Sequence, residues 1–270
     1  MATAAKQVIC ISWGTKYRAP YINRLYGMVA RNLTPPFGFT CFTDDATGIR
    51  PEVRCLPLPP LAGPRPKSRG QWPKARLWSD PLGDLIGPVL FLDLDMVITG
   101  SLDDFFSFGD PGAVIMARND NTPLERLGQT SIYRFPVGHL APLKAIYEAD
   151  PQGTADAYEW EQRFVTRNAP GGISFWPRPW VRTYRIHCIW PPPLNYLLPP
   201  RLPADCRALI FSGKLNPPDA IAGRWSAAHE ALGPAAHLGR LLAGPRPEGR
   251  MAFLRHYIRP APWVSDHWRA

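Results

Sequence analysis

Two aspartates, Asp93 and Asp95, interrupt the apolar run VLFLDLDMV that begins at Val89. On a strand, residues i and i+2 share a face, so the pair is expected to project side by side. Burying two carboxylates without partners is costly, because each isolated charge gives up its hydration. A divalent cation offsets that cost. Mn²⁺ and Mg²⁺ prefer oxygen ligands and complete their shells with substrate phosphates, so such a pair suits a metal–diphosphate site where a parallel strand meets solvent. Sheets of that kind bind ligands beyond the carboxyl ends of their strands. D-x-D is a short pattern, and salt-bridged aspartates at an ordinary strand end are the alternative, with Asp103 and Asp104 capping the next helix.

The surrounding elements read as strands alternating with helices. Val8–Ser12 is a β-branched apolar run, followed by Tyr21, Leu25, Met28, Val29 and Leu33 at helical spacing. Phe39–Thr43 and Val53–Leu56 read as further strands, Trp72–Ser79 as a helix, and Val89–Leu94 as the strand carrying the aspartates. Ala113–Ala117, Thr130–Phe135 and Ala208–Phe211 supply more strands; Gly138–Ala149 and Thr154–Thr166 read as helices. Parallel neighbours need helical crossovers, so the alternation predicts an α/β fold with a single, mostly parallel central sheet flanked by helices. Prolines gather at 56–66, 177–203 and 245–262, which predicts stiff irregular connections and an irregular Pro/Trp-rich C-terminal region.

Composition fits a soluble globular chain: 45% apolar and 20% charged residues exclude a wholly disordered one. The opening MATAAKQVICIS lacks the apolar core of a signal peptide, and no run of about 18 apolar residues occurs, so a cytoplasmic protein is expected. The five cysteines, Cys10, Cys41, Cys55, Cys188 and Cys206, show no C-x-x-C or zinc spacing and read as reduced, mostly buried thiols. His187 and Cys188 in YRIHC are placed on opposite faces by strand spacing, and His187 reads as structural. His139, His229, His237, His256 and His267 show no ligand spacing with one another.

The run PVLFLDLDMVITGSLDDFF resembles the D-x-D region of bacterial family 8-type glycosyltransferases, retaining enzymes of the GT-A fold that use nucleotide-diphosphate sugars and Mn²⁺. Other pieces agree in order: ISWGTKYRAPYINRLY, FTCFTDDATGI, WPKARLW, QTSIYRF, YEWEQRFVT and LIFSGKLNPP. The similarity spans Val8 to Pro218, which sets the expected division into a GT-A-like domain, 1–218, and a basic extension, 219–270. By this resemblance Ser12, Trp13, Gly14 and Tyr17 line the nucleotide pocket, with Asp44 near the base or ribose. Lys74 reaches the diphosphate or sugar. Glu161 and Gln162 stand where the family has an acid followed by Gln near the transferred sugar. Asp93 and Asp95 bind the metal, and Ser212 replaces the histidine that serves the family as third ligand. Lys214 takes the cationic role at the diphosphate. The implied function is a metal-dependent transfer of sugar from a nucleotide donor, most simply a UDP-sugar, to an unidentified glycan, lipid or protein acceptor, with Mn²⁺ (or Mg²⁺) as cofactor.

Two other readings share these residues. Phosphohydrolases of the haloacid dehalogenase type also begin from D-x-D after an apolar strand, but on their first strand, whereas more than 90 residues precede it here. A non-catalytic anion-binding protein is suggested by the net charge of +9, yet no nucleic-acid-binding signature appears, and no nucleic acid partner is expected. Arginines 240, 246, 250, 255, 259 and 269 alternate with Leu241, Leu242, Met251, Phe253, Leu254, Tyr257, Ile258, Trp263 and Trp268. That combination suits peripheral contact with an anionic bilayer; the helical spacing of Phe253, Leu254, Tyr257 and Ile258 equally suits packing on the chain's own domain.

Overall fold

In the computed structural model, which describes residues 6–67, 70–242 and 249–270, the first apolar run forms β1 (Lys6–Ser12), buried from Val8 onward. Pro20 lies in the first turn of α1 (Ala19–Asn32), where its missing N–H costs nothing, and Ile22, Leu25, Met28 and Val29 form the buried face. β2 (Phe37–Thr43) and β3 (Arg54–Pro57) follow. The segment Trp72–Trp78 is a 3₁₀ helix that buries Trp72, Lys74, Ala75, Leu77 and Trp78. Beyond it run β4 (Pro88–Leu92), β5 (Val97–Ile98), α2 (Asp103–Ser107), β6 (Val114–Arg118) and β7 (Gly128–Pro136).

The central sheet has seven strands in the order β3-β2-β1-β4-β7-β6, closed at its edge by β8 (Ile173–Phe175). β3, β2, β1 and β4 are parallel neighbours, as is the pair β6 and β8, while β7 runs against both β4 and β6. The sheet is thus mixed α/β and mostly parallel, as the alternation of elements predicted. α3 (Ala141–Ala149), α4 (Pro151–Tyr158) and α5 (Glu161–Asn168) lie between β7 and β8 in the chain.

A buried arginine ties α2 to the sheet. Arg134 on β7 is fully buried and donates to the carbonyls of Phe105, Phe106, Phe108 and Asp110 at 2.7–2.9 Å, satisfying backbone oxygens left open at the end of that short helix. Asp103 lies in the first turn of α2 rather than at its cap; its carboxylate pairs with Lys6 and accepts from Thr34 and Ser101.

Two compact units emerge. The first comprises the chain up to Leu94, Ser101–Arg178 and Ala270; the second comprises Asp95–Gly100 and Pro179–Arg269. The second unit has its own three-stranded sheet, in which β10 (Ala208–Ile210) lies between β5 and β9 (Val181–Thr183). Around it are α6 (Tyr184–His187), α7 (Leu194–Leu197), α8 (Pro217–Ala222), α9 (Pro234–Leu242), α10 (Arg250–Arg255) and α11 (Trp263–His267).

Three local expectations change. The single helix expected over 154–166 is two, because Glu159 takes a positive φ of 63° and Trp160 is extended, so that a new helix starts at Glu161. YRIHC is a helical turn, not a strand, and His187 Nδ1 sits 3.1 Å from the backbone of Thr183. Five C-terminal apolar residues pack inward: Phe253, Tyr257, Ile258, Val264 and Trp268 are buried, the alternative to a bilayer-facing stripe. The side chain of Leu242 and the residues Pro245, Arg246, Pro247 and Glu248 lie outside the described residues, as does the start of MATAAKQVICIS. Among the described residues no helix is long and apolar enough to cross a membrane. All five cysteines are free thiols, and Cys55 alone among them is only half-buried.

Candidate active site

Parallel pairing in register, with Ser12 opposite Thr43, brings the carboxyl ends of β1 and β2 together. The loop leaving β1 is held by its own side chains: Ser12 Oγ donates to the Tyr17 carbonyl at 2.6 Å, and the Gly14 N–H donates to Asp44 Oδ2 at 2.9 Å. Gly14 has φ of +69°, and a Cβ there would meet nothing within 4 Å; the requirement for glycine is conformational rather than steric. Tyr17 packs on Tyr21 with ring centroids 4.7 Å apart, while Trp13 is half-buried against the core. Four of the five expected nucleotide-loop residues therefore form two hydrogen-bonded pairs at the sheet's carboxyl end, where parallel sheets bind ligands. Asp44 is exposed apart from its contact with Gly14. The neighbouring Asp45 pairs with Arg18, and the Thr47 amide holds its carboxyl below the usual range.

The aspartates lie beyond the strand, not on it. β4 ends at Leu92, paired with Ile132, and the Asp93 N–H donates to the Ser131 carbonyl at 2.8 Å as the chain turns. Asp93 and Asp95 are thus turn residues, and their relative placement is set by that turn instead of the pleat. Asp93 belongs to the first unit, whose first stretch ends at Leu94, and Asp95 opens the 95–100 segment of the second.

Lys74 is buried, and its ammonium lies 2.7 Å from Asp93 Oδ1 and 2.8 Å from Oδ2. It also approaches the Thr130 carbonyl at 3.4 Å and the face of Phe91 at 5.2 Å. Thr130 continues the chain of contacts: its hydroxyl donates to Glu161 Oε1 at 2.9 Å, and Glu161 Oε2 accepts from the Gln71 N–H at 2.9 Å. Glu161 is only 4% exposed, which the acidic, solvent-like appearance of its segment conceals. The break at Glu159 is what makes Glu161 the first residue of α5. Beneath the cluster, Tyr133 OH accepts from Trp78 Nε1 at 3.3 Å; burial foremost, and then the charges of Glu161 and Asp93, push its hydroxyl far above the usual tyrosine range.

Three expected site residues, Lys74, Asp93 and Glu161, are thereby linked through Thr130, which sequence reasoning missed. The signal was present in QTS, because Gln129, Thr130 and Ser131 are three consecutive buried polar residues on a strand that is buried along nearly its whole length. Gln162 is half-buried in the first turn of α5. In the second unit Lys214 is exposed on the turn after β10, and Ser212 Oγ is buried with no hydrogen-bond partner among the described residues. Among those residues no three His, Cys, Asp or Glu side chains stand close enough to hold an ion alone. An ion at Asp93 would share its oxygens with Lys74 and would take further oxygens from substrate, water or a hydroxyl.

No family model matches the chain, and no curated protein does. Solved structures do. The galactosyltransferase LgtC, in complex with donor and acceptor sugar analogues, superposes with a TM-score of 0.53 at 12% identity, covering 90% of this chain and 98% of LgtC. GlyE from Streptococcus pneumoniae TIGR4, a glycosyltransferase, gives a TM-score of 0.55 at 12% identity over 78% of this chain, and the bifunctional glycosyltransferase WbbM gives 0.52 at 12% over 79%. The chain spans 56% of the length of GlyE and 46% of that of WbbM. At such identities the likeness is one of fold: the chain has the GT-A-type architecture of these glycosyltransferases.

Proposed function

We propose that the protein is a glycosyltransferase that takes a sugar from a nucleotide-diphosphate donor, a UDP-sugar, and retains its anomeric configuration. The observation that carries this reading is the buried chain Asp93–Lys74–Thr130–Glu161 within a GT-A-type fold, next in the same sheet to a glycine-containing loop held by Asp44. Ser12, Trp13, Gly14, Tyr17 and Asp44 are assigned to the nucleotide, and Lys214 to the diphosphate. Asp93, Asp95 and Ser212 are assigned to Mn²⁺ (or Mg²⁺), which would supply Lewis-acid neutralisation of the departing diphosphate.

Transfer breaks the bond between the anomeric carbon and the diphosphate oxygen, which keeps the electron pair, and forms a bond from the acceptor oxygen, whose proton leaves with the diphosphate or to solvent. Positive charge grows on the sugar and negative charge on the leaving group, so fixed charges aimed at both stabilise the transition state. Lys74 is a buried cation suited to the second task. Glu161, held by two donors, is assigned to the sugar hydroxyls, and the Gln162 carboxamide to the anomeric carbon. LgtC has an active-site glutamine, known from a Gln→Glu variant of that enzyme, which supports the assignment.

The test is release of free nucleotide from a panel of nucleotide sugars with Mn²⁺, Mg²⁺ or chelator, run beside a phosphomonoester substrate. Metal-stimulated release from one donor, lost in Asp95→Ala, is expected. Turnover of the phosphomonoester with every donor untouched would replace this reading with the phosphohydrolase one.

A further inference from the structure

Eleven large apolar side chains are exposed among the described residues, and five of them, Ile186, Leu194, Leu197, Leu198 and Leu202, fall between positions 186 and 202 of the second unit. Single exposed leucines are ordinary, but a cluster marks a contact surface. This one sits on a closed loop. The Arg201 N–H donates to the Cys188 carbonyl at 3.0 Å and Trp190 Nε1 to the Pro199 carbonyl at 3.1 Å, so the ends of the segment 188–201 meet, with α7 in its middle. Leu194, Leu197 and Leu198 are spaced i, i+3 and i+4, which puts them on one side of that turn. Ile186 and Leu202 flank the base of the loop in the chain.

The other side of the turn is fixed from within. Asn195 Nδ2 donates to the carbonyls of Leu254 and Tyr257 at 2.9 and 3.0 Å, and Tyr196 stacks on Tyr257 at 4.3 Å and 6°, with its hydroxyl 2.9 Å from His237 Nδ1. Arg259 Nη1 donates to the carbonyls of Tyr196 and Leu197 at 3.2 and 3.0 Å, and Trp263 Nε1 to that of Pro200 at 2.9 Å. Turning the leucines inward would break all of these contacts, so the fold presents them to whatever lies outside. The C-terminal segment, whose own aromatic residues are buried, serves as the brace of this loop.

Charge separates the possible occupants. Residues 179–204 include no Asp or Glu but carry Arg182, Arg185 and Arg201. Arg185 and Arg201 are exposed, and the Arg201 guanidinium lies over the Trp190 ring, 4.0 Å from its centroid. Two copies of such a face would bring like charges together, which disfavours self-association through it. An anionic bilayer supplies every complement: headgroup phosphates for the arginines, the acyl boundary for the leucines, and the interface between them for a tryptophan whose N–H is already bonded.

We propose that the loop 188–201 docks the protein on an anionic membrane surface, with Leu194, Leu197 and Leu198 entering the lipid and Arg185 and Arg201 on its headgroups. The docking does not depend on the transferase reading, and its test needs no turnover.

The experiment floats the full chain with vesicles of phosphatidylcholine alone and of phosphatidylcholine with phosphatidylglycerol, at low and high NaCl. Leu197→Gln, the double variant Leu194→Gln/Leu197→Gln, and Arg201→Gln are compared with Leu124→Gln, which alters a fully exposed leucine of the first unit. The parent should float with the anionic vesicles and lose them as salt screens the arginines. Partitioning should fall about tenfold in the double variant, severalfold in Leu197→Gln and Arg201→Gln, and not at all in Leu124→Gln. Both loop leucines point outward, so melting temperatures should match the parent's, and Leu197→Gln, at the most exposed of the three leucines, reports on docking even where the double variant perturbs folding. No flotation with anionic vesicles, equal flotation by the parent and Leu197→Gln, or an equal loss in Leu124→Gln would overturn the proposal. Light scattering that shows a dimer dissolved by Leu197→Gln, without flotation, would overturn it too and give the face to a second copy of the chain.

Discussion

Lys74 Nζ lies 2.7 Å from Asp93 Oδ1 and 2.8 Å from Oδ2, with the lysine side chain 6% exposed and the aspartate 20%. A buried ion pair is a weak source of net stability, but removal of one member strands the other. Lys74→Met is expected to cost about 3 kcal/mol, and Asp93→Leu a similar amount. The double variant should recover most of that loss, since it removes both charges together. Urea denaturation of the four proteins measures the coupling; additive losses would mean that the two groups do not neutralise each other.

Thr130 joins the cationic and acidic ends of the cluster, because its carbonyl faces Lys74 and its hydroxyl donates to Glu161. Thr130→Val keeps the shape and deletes the donor. An unpaired buried carboxylate oxygen costs about 1–3 kcal/mol, so Thr130→Val should lose stability by about that amount. Because that hydroxyl fixes Glu161, kcat of donor hydrolysis is expected to fall severalfold in Thr130→Val and to recover in Thr130→Ser, which keeps the donor. An unchanged kcat with reduced stability would give Thr130 a purely structural role.

The strands and the donor loop were legible because β1, β2 and β4 are apolar runs whose ends are marked by polar residues, and because Gly14 stands just past such an end. Other parts of the site were not. The extent of β4 depends on where pairing with β7 stops, which the sequence VLFLDLD does not state, so the aspartates fell on a turn. Nothing in WPKARLW shows which side of a 3₁₀ helix is buried, and Lys74 sits among tryptophans on the inner side. The burial of Glu161 depends on one backbone angle at Glu159, in a segment whose charges look solvated. His229, His237 and His256, which line one small cavity between the loop after α8, α9 and the end of α10, show no period in the sequence that would bring them together.

Alkaline pH should destabilise the second unit. Burial pushes the Cys206 thiol up to about 11 and the Tyr196 hydroxyl up to about 12, from ordinary values of 9.0 and 10.0. Because both folded values are raised, the stability they contribute is complete below the unfolded values. It is lost as pH climbs from about 9 toward 12, where the unfolded chain releases its protons first. Melting temperature is expected to fall across that window, with a shallower fall at its lower end in Cys206→Ala and at its upper end in Tyr196→Phe. A parent profile that is flat there, or variants that track it, would show that these groups do not set the alkaline limit.

Ser212 tests structure and metal together. Its hydroxyl is buried with no partner among the described residues, so it gives up hydration without a compensating hydrogen bond. Ser212→Ala is therefore expected to leave stability unchanged or raise it by up to about 1 kcal/mol, because a buried unsatisfied oxygen is removed. Were the oxygen a ligand for Mn²⁺, the same variant would weaken the ion in the presence of UDP. Ser212→His should tighten it, since imidazole is a stronger donor to Mn²⁺ than a neutral hydroxyl. Mn²⁺ titration followed by electron paramagnetic resonance, with and without UDP, reads both effects. Equal affinity in the parent and both variants would remove Ser212 from the ion and leave it to Asp93, Asp95 and the donor's own oxygens.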